Sequence, residues 1–107
     1  QASFFFQTPV QYDFDSVRGK WNTEKTAFFE DIASKLEVFE PWSAGALEHF
    51  YKLAIEASGM KMGELMLPLR IMLVGGKFGP HVFDILGLLG REESVARIRK
   101  GLQALLN

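Results

Sequence analysis

Residues Pro68–Phe83 read PLRIMLVGGKFGPHVF. The apolar residues Leu67, Leu69, Ile71, Met72 and Leu73 surround a single arginine, Arg70. The glycine pair Gly75–Gly76 follows, then Gly79–Pro80 and the lone His81. The run reads as the apolar core of a helix over Lys61–Val74, stopped by the glycine pair. Pro68 lies inside that helix, where a missing N–H and a ring clash predict a kink or a division in two. Gly79–Pro80 predict a new helix start, with proline in the first turn. Arg70 then stands out, because a guanidinium is always charged and costly to bury alone. No acid lies within four residues of it. It must snorkel, pair with a distant acid such as Asp84, or meet an outside anion or base edge. A Gly79–Pro80–His81 ledge at a helix N-terminus would offer N–H donors nearby. An arginine beside such a ledge suits an unstacked RNA base.

Upstream, apolar spacing predicts two more helices. Phe28, Phe29, Ile32, Leu36 and Phe39 recur at three- and four-residue intervals behind the cap candidates Asn22 and Thr23. Pro41 stops that helix. Leu47, Phe50, Tyr51, Ala54 and Ile55 form the next stripe, with Ser43 as its cap and Gly59 at its C-terminal end. Asp13 or Asp15 would cap a short helix over Ser16–Trp21. Downstream, Val82–Leu89 is one helix closed by Gly90, and Glu92–Leu106 is another. No stretch alternates strictly between apolar and polar residues. The expected fold is all-α, a helical bundle. A seam near Glu40–Ser43 would separate an aromatic N-terminal segment with connecting helices, 1–42, from a C-terminal helical subdomain, 43–107.

The 107 residues are 48% hydrophobic and carry ten phenylalanines and no cysteine. Disulfides and thiolate metal sites are excluded, and a cytoplasmic location is expected. His49 and His81 make no ligand spacing. No stretch is apolar for long enough to cross a membrane, and the opening residues lack the pattern of a signal peptide. The chain begins on Gln1, and we expect it to be a piece of a longer protein. Residues 1–64 carry a net charge of −4 and residues 65–107 a net charge of +3. That asymmetry would steer a phosphate backbone toward the C-terminal part. Lys77, Arg91, Arg97, Arg99 and Lys100 are the candidate phosphate contacts.

Catalytic patterns are poor. Ser43, Ser58 and Ser94 have no neighbouring histidine to act as base. The pairs Glu30–Asp31 and Glu92–Glu93 point in different directions on their helices. GGKFGP lacks the spacing of a phosphate-binding loop.

One longer pattern is specific. Lys61, Gly63, Pro68-Leu69-Arg70, Leu73, Gly75, Gly79-Pro80, Phe83, Leu89-Gly90-Arg91-Glu92 and Arg97-Ile98 occur in this order and spacing. The run resembles the C-terminal end of bacterial-type glutamyl-tRNA synthetases, whose pattern is K-x-G-x-x-x-x-P-L-R-x-A-L-T-G followed by a Pro step and L-G-K-E. Residues 59–102 carry the likeness well, SFFFQTPVQYD resembles the segment entering the same region, and residues 14–58 match only as amphipathic helices. The resemblance implies an α-helix cage that binds the anticodon of class I synthetases. It implies a parent ligase that joins glutamate to tRNA(Glu) using ATP and Mg²⁺, with its catalytic domain N-terminal to this chain. No cofactor is implied for this chain alone, which should not catalyse. The implied partners are the tRNA(Glu) anticodon loop and that catalytic domain, in a monomer with no membrane role. The implied anticodon contacts are Arg70, Leu67, Leu69, Gly79, Pro80, His81, Val82 and Phe83. Val74 stands where the family has Thr, and Arg91 where it has Lys. The family's arginine for the third anticodon base falls in an earlier subdomain, so this chain would read only part of the anticodon. The competing reading is a helical protein-interaction module with no RNA role.

Overall fold

A computed structural model describes residues 7–107. Among them are five helices and no strand: α1 (Asp15–Arg18), α2 (Thr23–Leu36), α3 (Ala44–Ser58), α4 (Met62–Val74) and α5 (Val82–Leu106). The all-α expectation holds. The opening SFFF falls outside the described residues.

Local sequence places most of the boundaries. Asn22 accepts a hydrogen bond from the Lys25 N–H at 2.9 Å and caps α2. Ser43 caps α3 through the Ala46 N–H. Gly59 and Gly75 end α3 and α4 in the left-handed conformation. At Gly75 the need for glycine is twofold. Its φ is 85°, and a Cβ would sit 2.6 Å from the Gln11 carbonyl oxygen. That close approach lets the Asp13 N–H donate to the Gly75 carbonyl at 2.8 Å, which ties the N-terminal segment to the end of α4.

Three expectations change. No aspartate caps α1, whose N-cap is Phe14 without a side-chain hydrogen bond. Asp15 is instead the first helical residue, and Phe14 at the N-cap is buried in the core. Helix α4 runs through Pro68 undivided, because Pro68 and its neighbours are buried and tertiary packing holds the segment helical. Pro80 lies outside the last helix, whose N-cap is His81. The two expected C-terminal helices are present as the two arms of α5, which meet at a kink at Gly90, whose φ of 83° and ψ of 171° are not helical.

Helix α5 is the centre of the fold, and α2, α3 and α4 each pack on it. Gly101 allows the closest approach, since a Cβ there would lie 2.8 Å from the Met72 side chain of α4. Phe29, Ile32 and Leu36 of α2 share one buried cluster with Leu47, Leu65, Leu73, Ile85 and Ile98. Core residues on both sides of residue 42 therefore belong together, and the peptide bond at the expected seam, Glu40–Pro41, is cis.

Candidate nucleic-acid interface

The PLR arginine reaches across the glycine loop. Arg70 Nη1 donates to the Pro80 carbonyl oxygen at 2.6 Å. Asp84 is exposed and makes no ion pair with it among the described residues. Arg70 is half-buried, so its stem lies on the helix while its head stays at the surface. A guanidinium carries five N–H donors in a fixed fork. The bond to Pro80 fixes the plane of that fork and leaves further donors for an outside acceptor.

The opposite wall is the loop between α4 and α5. Gly79, Pro80 and His81 are exposed. The Phe83 N–H donates to His81 Nδ1 at 3.4 Å, and the two rings lie 5.4 Å apart. Phe83 itself is buried against Tyr51, ring centroids 5.9 Å apart. Leu69 and Val82 are also buried. These three residues shape the ledge from beneath, and Leu67 is half-exposed on the α4 side. Val74 is buried in the core at the end of α4.

Sequence reading passed over Phe78. Its ring is 84% exposed, at the tip of the same loop and between glycines on both sides. An isolated aromatic in a glycine-rich turn, far from any apolar stripe, was the available signal. It presents a flat face to solvent beside the Arg70–Pro80 bridge.

A family model described as an anticodon binding domain matches residues 1–102. The chain belongs to the anticodon-binding domain family. It is similar to glutamate–tRNA ligases from Porphyromonas gingivalis, 39% identical over 98% of this chain and 21% of the relative, and from Flavobacterium johnsoniae, 38% identical over 97% and 21%. It is also similar to the crystal structure of a glutamate tRNA ligase from Elizabethkingia meningosepticum in complex with its amino acid. The TM-score is 0.85 at 30% identity, over 97% of this chain and 20% of that one. The chain thus spans about a fifth of the length of the relatives it matches.

The basic residues of this anticodon-binding domain have specific neighbours. Arg97 is fully buried. Its Nε donates to Glu93 at 2.7 Å and its Nη1 to the Leu73 carbonyl at 2.8 Å, so it offers no surface to a phosphate. Leu73 lies in the last turn of α4, where carbonyls lack helical partners. Arg97 therefore locks α4 onto α5. Glu93 also accepts from the Thr8 hydroxyl at 3.2 Å. The Arg97 hydrogen bond holds the Glu93 carboxyl below its usual pKa against the opposing effect of burial, and the Thr8 hydrogen bond adds a lesser lowering. Arg91 donates to the Phe39 carbonyl and lies 5.3 Å over the Trp42 ring, while Trp42 donates to the Leu86 carbonyl. Lys77 stands 3.9 Å from Asp13, and Arg99 pairs with Glu37. Lys100 is exposed and pairs with no carboxylate among the described residues. Four of the five cations expected to meet phosphates thus have partners within the protein.

No helix among the described residues is long and apolar enough to cross a membrane. No group of three or more His, Asp or Glu residues that could hold a metal ion occurs among the described residues.

Proposed function

We propose that this domain reads the anticodon loop of tRNA(Glu) on behalf of a glutamate–tRNA ligase. The Arg70–Pro80 bridge carries the reading. It joins a helix face to an exposed ledge ten residues later and aims the unused guanidinium donors outward. Bidentate arginine contacts discriminate base edges by about 1–3 kcal/mol each. Phe78 supplies a stacking face for an unpaired base, and stacking is how proteins hold bases splayed from RNA loops. Leu67, Gly79, Pro80 and His81 form the rim, and Leu69, Val82 and Phe83 hold its shape.

The remaining four-fifths of the ligase would hold the catalytic domain, where ATP and Mg²⁺ serve glutamate activation in the cytoplasm. This domain's part is to hold the correct tRNA. It does so as a monomer, since one face of one chain supplies the whole rim.

The test is binding of a tRNA(Glu) anticodon stem-loop and of the same hairpin with substituted anticodon bases. The cognate loop should bind tighter, and Arg70→Ala should lose roughly 1–3 kcal/mol and most of the discrimination. Equal affinity for both loops in the wild-type chain would refute the reading.

A further inference from the structure

A second group of lysines lies outside the C-terminal half to which the sequence pointed. Lys20, Lys25 and Lys61 line one cleft of about 330 Å³ between the α1–α2 link and the start of α4. Lys25 is 4% exposed and forms its floor. Its Nζ donates to the Lys20 carbonyl at 2.7 Å and stands 3.7 Å from Glu64. Lys20 and Lys61 are exposed and pair with no carboxylate among the described residues. Three lysines and a single carboxylate, Glu64, therefore line the cleft, and Trp21 and Leu67 add apolar wall.

The cleft shares a helix face with the anticodon rim. Gly63 and Leu67 line the cleft, and Arg70 follows at the next position of the same row. Residues spaced by four and then three lie one above another on a helix. From Lys61 to Arg70 the axis advances by about 13 Å. A short RNA loop with one base at Arg70 would carry its backbone over this distance.

We propose that the Lys20–Lys25–Lys61 cleft holds a backbone phosphate of the RNA loop whose base meets Arg70. This rests on the anticodon-reading function above and gives it a second anchor point. Lysine suits the task, being a compact point charge that recognises phosphate without regard to base. The cleft fixes the register of the loop, and Arg70 reads it.

The experiment measures stem-loop binding by the 107-residue chain across a salt series. It compares wild type, the Lys20→Gln/Lys61→Gln double variant and the control Lys35→Gln, whose lysine is exposed and paired with Asp31. Circular dichroism establishes that each is folded. The double variant should bind cognate and anticodon-substituted loops more weakly by a similar factor, roughly five- to tenfold. Its log–log salt slope should become shallower by about 0.7, the share of one single-strand phosphate. The control should keep the wild-type slope. A slope unchanged in the double variant, with anticodon discrimination intact in wild type, overturns the cleft and leaves the anticodon reading standing. A shallower slope with no anticodon discrimination overturns that reading and leaves the cleft standing as a phosphate site. Absence of stem-loop binding by wild type overturns both.

Discussion

Arg97 Nη1 donates to the Leu73 carbonyl across 2.8 Å, from the middle of α5 to the last turn of α4. The same guanidinium binds Glu93 and has no exposed surface. The position of Arg70 depends on this contact, because Leu73 and Arg70 lie on one helix three residues apart.

Arg97→Ala should therefore destabilise the chain by roughly 2–5 kcal/mol, since hydrogen bonds to a charged group contribute about 1.5–3 kcal/mol each and Arg97 bonds both Glu93 and Leu73. The Leu73 carbonyl would also lose its donor. Urea unfolding of the variant checks this. A midpoint within error of wild type would contradict the assigned contact.

Glu93 should make stability fall in acid. Its folded pKa lies below the unfolded value, chiefly through the Arg97 hydrogen bond. Its contribution is present above the unfolded value and disappears as pH falls through the folded one. Urea midpoints measured from pH 7 down to pH 3 should decline, and Glu93→Gln should flatten part of that decline. The carboxyl is 41% exposed, so the effect is screened and modest.

Tyr51 predicts the opposite limb. Burial pushes its hydroxyl well above the usual value, and the group donates to the Leu65 carbonyl at 2.6 Å. A raised folded pKa gives stability that is complete below the unfolded value and lost as pH rises toward the folded one. Alkaline unfolding above about pH 10 should be less pronounced in Tyr51→Phe, for which Tyr51 no longer ionises on unfolding. At neutral pH that variant should lose about 0.5–1.5 kcal/mol, the net contribution of one buried hydrogen bond to the Leu65 carbonyl.

Phe78→Ala should leave stability nearly unchanged, since the ring is exposed. It should weaken stem-loop binding by about 1–3 kcal/mol if one base stacks on it. Phe78→Trp should retain most of the affinity. Fluorescence anisotropy with a labelled stem-loop separates the two outcomes.

Boundaries were legible in the sequence wherever they are local. Asn22 and Ser43 are caps because a short polar side chain reaches back to an N–H three residues on. Gly59 and Gly75 end helices because glycine tolerates positive φ. The helix around Pro68 was legible, but that it stays undivided was not, because the proline penalty competes with the burial of its neighbours and a single propensity cannot weigh that competition.

The candidate site was legible in part. The PLR and Gly-Pro steps singled out Arg70 and the loop from Gly79 to Phe83, and the structure joins them through one hydrogen bond. It also divides them into exposed rim and buried support, which residue type alone does not reveal. Leu67 and Leu69 differ by two residues, yet one is half-exposed and the other buried.

By itself the sequence determined an all-helical chain, most of its stops and its family pattern. All three reside in short-range spacing. Tertiary structure decided which charges are partnered. Arg97, Arg91, Arg99 and Lys77 find partners 4 to 64 residues away, while Lys20 and Lys61 find no carboxylate among the described residues. A charge's availability depends on what the fold brings within a few ångströms of it, and linear charge counts do not carry that information.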